Sequence, residues 1–81
     1  MRILYFAWVR ERIGTSSEEF EGGAGTVSEV IDRLVERSPA HELALSDRSV
    51  LRCALDQKLV ELDAPITGAA ELAIFPPMTG G

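Results

Sequence analysis

One stretch constrains the fold more than any other. Thr26-Val27-Ser28-Glu29 has capping-box spacing, with Thr26 as N-cap and Glu29 reaching back to it. Val27, Val30, Ile31, Leu34 and Val35 then recur at helical spacing and form one apolar stripe. Ser38-Pro39 stops the helix, because a residue before proline avoids the helical region. A helix with a single apolar stripe must lay it on something, and most of what flanks it reads as short strands. With 81 residues there is room for one small domain. The expectation is an α+β fold, with the helix lying across one face of a sheet.

Residues 2–9, RILYFAWV, read as the first strand, rich in aliphatic and aromatic side chains. Arg10 to Gly14 is a charged connection, Gly14-Thr15 a turn, and Ser17 to Glu21 a hairpin partner for the first strand. Gly22-Gly23-Ala24-Gly25 is a loop; no lysine follows it, so it does not read as a phosphate loop. His41 to Leu45 adds a further helical turn. Val50 to Asp56 is a strand with Leu51, Cys53 and Leu55 on one face and Arg52, Ala54 and Asp56 on the other. Gln57-Lys58 is a reversal, Leu59 to Leu62 a fourth strand, and Glu71 to Phe75 the last, after breaks at Asp63-Ala64-Pro65 and Gly68. The order β-β-α-β-β-β predicts a mixed four- to five-stranded sheet packed on one main helix. That is also the order of the ubiquitin-like β-grasp. Residues 1–75 form the domain and residues 76–81 an extended tail.

Alternation leaves three apolar residues on the wrong face. Phe6 shares its side of the first strand with Arg2 and Arg10, Leu59 sits with Gln57 and Glu61, and Phe75 sits with Glu71. Together with Trp8 they would gather on the sheet face away from the helix. An exposed apolar patch on a small domain marks a partner surface.

Composition narrows the function. Eight Lys and Arg against thirteen Asp and Glu give net charge −5, which repels phosphate backbones and argues against nucleic acid. No apolar run approaches the ~20 residues needed to cross a bilayer, and MRILYFAWVRER is too short and too charged for a signal peptide. No membrane partner and a cytoplasmic location are therefore expected. The lone cysteine cannot form an internal disulfide, and Cys53 with His41 is too small a set for a structural zinc site, so no metal is expected. Cys53 reads as a small buried hydrophobe, His41 as a solvated side chain, and Glu18, Glu19 and Glu21 as a soluble face. None of these makes the chain an enzyme on its own.

The last residues, Phe75-Pro76-Pro77-Met78-Thr79-Gly80-Gly81, are the most specific feature. Pro76 and Pro77 cannot donate ladder hydrogen bonds, so the sheet ends there and the tail projects stiffly. Six residues beyond Phe75 reach at most roughly 20 Å. Gly80 and Gly81 have no Cβ to block entry into a narrow slot. The result is a thin stalk ending in an unhindered carboxylate that another protein's buried site can reach. A carboxylate is a poor electrophile, so its use requires activation, most simply as an acyl-adenylate made by a separate ATP-consuming enzyme. A sulfur nucleophile would then give a thiocarboxylate, and an amine an isopeptide.

LYFAWVRERIGT, the capped helix and LDQKLVELDAPITGAAELAIFPPMTGG together resemble the MoaD/ThiS family of ubiquitin-like sulfur carriers. The likeness lies in its MoaD-type branch, the small subunits of molybdopterin synthase. FPP-x-x-GG is the most specific element. The resemblance implies a heterotetramer with two large subunits, and a thiocarboxylate on Gly81 made after adenylylation by an E1-like enzyme that consumes ATP. It further implies a sulfur donor protein, and transfer of the sulfur to cyclic pyranopterin monophosphate to build the dithiolene of molybdopterin. No cofactor is bound by the chain itself. On this reading Gly81 holds the sulfur and Gly80 is its neck, while Pro76, Pro77, Met78 and Thr79 enter the large subunit. Phe6, Leu59 and Phe75 match the family's hydrophobic docking positions. Asp56 replaces an Asn often found there, and Trp8 stands at a frequently polar position. The sulfur carrier of thiamine thiazole synthesis and a ubiquitin-like protein modifier are the alternatives.

Overall fold

The computed structural model describes residues 1–77. Five strands, β1 (Arg2–Tyr5), β2 (Ser17–Glu19), β3 (Arg52–Leu55), β4 (Lys58–Val60) and β5 (Glu71–Phe75), form one sheet in the order β2-β1-β5-β3-β4. β1 and β5 run parallel at its centre, and the other pairings are antiparallel. Three helices, α1 (Ala7–Ile13), α2 (Val27–Val35) and α3 (Pro39–Leu45), pack with the sheet around one core, and a 3-10 turn (Arg48–Val50) leads into β3. Ile3, Tyr5, Cys53, Leu72 and Ile74 line the core from the sheet; Val9, Val27, Val30, Ile31, Leu34 and Leu45 line it from the helices. This is the β-grasp expected from the element order, with three helices among the described residues where one main helix was expected.

The expected capping box of α2 is present. Thr26 Oγ1 accepts the Glu29 amide at 3.2 Å, and Glu29 Oε1 accepts the Thr26 amide at 3.1 Å and the Gly25 amide at 3.0 Å. A Cβ on residue 25 would lie 2.9 Å from that carboxylate oxygen, so a larger residue there would push the Glu29 side chain out of its capping position. Of the predicted stripe, Val27, Val30, Ile31 and Leu34 are fully buried, while Val35 packs partly buried against the same core.

The first strand is shorter than expected. It ends at Tyr5, and Phe6 becomes the N-cap residue of α1. Ala7 turns the chain with φ +53°, a left-handed conformation that costs a non-glycine residue of order 1 kcal/mol. Val9 and Ile13, and likewise Trp8 and Arg12, stand four apart, which is helical spacing hidden under the strand propensity of Phe6-Ala7-Trp8-Val9. Gly14 then closes α1 as a left-handed C-cap at φ +95°, its amide donating to the Arg10 carbonyl at 2.8 Å. The β3–β4 reversal is Asp56-Gln57, not Gln57-Lys58: both residues have positive φ, +47° and +71°, and Leu55 pairs with Lys58. Asp56 Oδ1 also accepts the Ala70 and Glu71 amides, each at 3.0 Å, tying the turn to the start of β5.

His41 and Glu18 depart from the solvated roles expected of them. His41 is only 9% exposed. Its Nε2 lies 2.6 Å from Glu18 Oε2, and its Nδ1 lies 2.7 Å from the Ser38 hydroxyl, which also accepts the His41 amide as the α3 N-cap. The Tyr5 hydroxyl donates to the same Glu18 oxygen at 2.6 Å, and Arg37 donates to Oε1 at 3.1 Å and to the Glu19 carbonyl at 3.0 Å. One carboxylate thus ties β1, β2, α3 and the α2–α3 connection together. Burial alone would raise the Glu18 pKa. Hydrogen bonds from Tyr5 and His41, then the charges of His41 and Arg37, outweigh it and hold the carboxyl below its ordinary value. Burial, followed by the hydrogen bond to Glu18, pushes the Tyr5 phenol well up.

Two outcomes follow from this scaffold. Thr26→Ala lowers unfolding free energy by about 1 kcal/mol in urea titrations, the usual size of a lost N-cap. Glu18's native pKa is depressed, so its contribution is complete above its ordinary value of 4.5 and disappears as pH falls through the lower native value. Glu18→Gln therefore destabilises the protein by about 1 kcal/mol at pH 7. It also flattens the acid limb of stability against pH, measured by thermal melting from pH 7 to pH 3.

Candidate functional site

With Ile3, Tyr5, Cys53, Leu72 and Ile74 turned into the core, alternation turns Arg2, Leu4, Arg52, Ala54, Glu71, Ala73 and Phe75 onto the opposite, open face. The register then assembles a row across four strands: Leu4 beside Ala73, Ala73 beside Ala54, and Ala54 beside Leu59. Two alanines make a shallow floor between two larger apolar side chains. At the tail end of this floor, Phe75 stands beside Arg52, and the Phe6 amide donates to the Ile74 carbonyl at 3.3 Å, which brings Phe6 alongside Phe75.

The residues expected at the site fall out as follows. Phe6 is 45% exposed and Leu59 is 74% exposed, both large values for apolar side chains. Phe75, Pro76 and Pro77 are half-buried, and β5 ends at Phe75 so that the prolines lead off the sheet. Phe6, Leu59 and Phe75 thus lie on or at the edge of one surface that runs into the root of the tail. Met78, Thr79, Gly80 and Gly81 lie outside the described residues.

Trp8 does not join this surface. As a residue of α1 it lines a separate groove with Arg12, Leu43, Val50, Pro76 and Pro77, on the helical side of the tail root, with the Arg12 guanidinium 4.7 Å from its ring centre. Leu43, 71% exposed, is an apolar residue of this groove that the sequence analysis did not single out. Leu4, Ala54 and Ala73 are the part of the open face that sequence reasoning missed. Their strand alternation was visible, but an alanine acquires a role as floor only once its cross-strand neighbours are known.

Side-chain chemistry on the described residues is sparse. Cys53 is buried, and burial pushes its thiol up to about 11, so the thiolate needed for nucleophilic attack is suppressed. No group of three or more His, Cys, Asp or Glu among the described residues could hold a metal ion. No helix among them is long and apolar enough to cross a membrane. The arrangement suits binding: an apolar face leads to the root of the tail.

Known proteins of the same build share this arrangement's full length. The chain is 40% identical over 81 residues to the molybdopterin synthase sulfur carrier subunit of Escherichia coli (strain K12), covering all of this chain and 99% of that one. It is 33% identical to the subunit of the same name from Haemophilus influenzae, again covering all of this chain and 99% of the other. The crystal structure of SAMP1 from Haloferax volcanii superposes with a TM-score of 0.76 at 26% identity, covering all of this chain and 98% of that one. The ThiS family pattern matches residues 3–81, and the chain belongs to the ThiS family.

Proposed function

We propose that this chain is the sulfur-carrier subunit of a molybdopterin synthase, the small sulfur-donating half of a sulfurtransferase whose catalytic side chains lie on a separate large subunit. The observation that carries this reading is the 40% identity, over the whole of both chains, to a protein named as such a subunit. The apolar face running into the tail root supports it, because a carrier must be gripped close to the group it delivers.

The chemistry proceeds at the Gly81 carboxylate. In an E1-like partner its oxygen attacks the α-phosphate of ATP and pyrophosphate leaves, giving an acyl-adenylate. A donor protein's persulfide then attacks the acyl carbon as AMP leaves, and a thiol reductant cleaves the resulting acyl disulfide, leaving a thiocarboxylate. Phe6, Leu59 and Phe75 dock the large subunit in a heterotetramer, while Pro76, Pro77, Met78 and Thr79 thread the thin Gly80-Gly81 end into its pocket. There the thiocarboxylate sulfur bonds to a carbon of cyclic pyranopterin monophosphate, and water cleaves the acyl–sulfur bond, which leaves the sulfur on the substrate and returns Gly81 to a carboxylate for another round. The chain binds no cofactor itself; ATP is spent by the activating enzyme. The lone cysteine, with no internal disulfide to make, suits work in the reducing cytoplasm.

Two measurements test this. The chain carrying a verified C-terminal thiocarboxylate, mixed with its cognate large subunit and cyclic pyranopterin monophosphate, yields molybdopterin, and deleting Gly81 abolishes the product. No product from the intact thiocarboxylate would sink the assignment; conjugates of the chain on several lysate proteins would point instead to protein modification. Leu59→Ala weakens large-subunit binding by more than tenfold, the size of a central apolar anchor. It leaves stability within about 0.5 kcal/mol, because Leu59 is mostly exposed in the free chain.

A further inference from the structure

Arg52 occupies a telling place on the open face. Its neighbour Cys53 is in the core, so Arg52 faces the other way with Ala54. On one side it is paired in register with Phe75, where the tail begins. On the other, Leu59 sits beside Ala54, one diagonal step away. Any surface that covers both Phe75 and Leu59 therefore also covers Arg52.

Its guanidinium is not committed to a carboxylate. Arg2, Arg37 and Arg48 are ion-paired with Glu19, Glu18 and Asp32. Arg52 Nη1 instead donates to backbone carbonyls, that of Leu51 at 2.8 Å and that of Ser49 at 3.4 Å, and no ion pair forms with it among the described residues. Beside it lies a cavity of about 500 Å³ whose lining includes Arg48, Leu51, Arg52, Leu59, Glu61 and Leu62. Taking a guanidinium out of water without an opposite charge is strongly unfavourable, whereas a carboxylate meeting its planar fork makes two charge-assisted hydrogen bonds.

We propose that Arg52 is a specificity contact for the large subunit, which presents an Asp or Glu carboxylate to its guanidinium within the apolar interface formed over Leu59 and Phe75. This rests on the docking reading above and adds the chemistry of the partner surface. Apolar contact alone tolerates sliding over a floor of alanines; one charge pair at the vertex between Leu59 and Phe75 fixes the register and aims the tail. It also discriminates against partners whose matching position is neutral or basic.

The test is calorimetric titration of the full chain into its cognate large subunit at two salt concentrations, using wild type, Arg52→Leu, Arg52→Glu and Arg52→Lys, with melting curves for each. The expected result is at least tenfold weaker binding for Arg52→Leu and a larger loss for Arg52→Glu. Arg52→Lys recovers most of the affinity, and the salt dependence of Arg52→Leu is shallower than that of wild type, all without a change in melting. Arg52→Leu binding as tightly as wild type, or more tightly, would overturn the charge contact while Leu59→Ala still reports on docking. A wild-type chain that does not bind the large subunit would overturn both readings.

Discussion

The parallel pairing of β1 with β5 is the constraint on which everything else depends. It joins residues from the two ends of the chain, Arg2 with Glu71 through Tyr5 with Ile74, and it forms the centre of the sheet. Ile3, Tyr5, Leu72 and Ile74 are buried on its helix side, so the pairing orients both strands at once. A slip of one residue in either strand would turn its own core pair, Ile3 and Tyr5 or Leu72 and Ile74, out to solvent and bring Leu4 or Ala73 in. The register that fills the core is therefore the one that sets an exposed Phe6 and a half-buried Phe75 side by side at the root of the tail.

Polar groups divide the labour with that core. The Glu18 carboxylate gathers Tyr5, Arg37 and His41, holding α3 against the sheet, although sequence reasoning assigned Glu18 and His41 to solvent. Asp56 pins the β3–β4 turn to the start of β5. The open face itself carries an alanine floor, apolar rims and the charged side chains of Arg2, Glu71 and Arg52, with Arg2 ion-paired to Glu19. Trp8, Leu43 and Val50 rim a second groove on the helical side, and Pro76 and Pro77 form its wall, so the tail leaves the domain between two apolar surfaces.

Local rules were enough wherever one interaction dominates a short stretch. The α2 capping box, the end of that helix ahead of Pro39 and the last strand through Phe75 each follow from residues within about ten positions, whereas β2 pairs with β1 across α1 and not as the expected hairpin. They failed where two local preferences compete. Phe6-Ala7-Trp8-Val9 has strand-forming side chains, yet Val9 is fully buried from a helix and Ala7 accepts a left-handed turn to make that possible. The gain from placing Val9 in the core exceeds the local strain, and a propensity argument has no access to the core. His41 follows the same logic: its partner Glu18 is 23 residues away, so nothing near it in the chain announces its burial.

From its sequence alone the chain determines a capped helix, most of the strands, the lone buried cysteine and the end of the last strand at Pro76-Pro77, because each depends on the intrinsic geometry and chemistry of neighbouring residues. The three apolar residues displaced by alternation were visible too, since period two is a property of any strand. Their assembly into one face was decided only by the tertiary structure. Phe6, Leu59 and Phe75 belong to three separate parts of the chain, and only the β1–β5–β3–β4 register brings them around a common floor with Arg52 among them. Trp8 marks the same divide from the other side: equal in hydrophobicity and near in sequence, it was carried to a different surface by a single turn at Ala7.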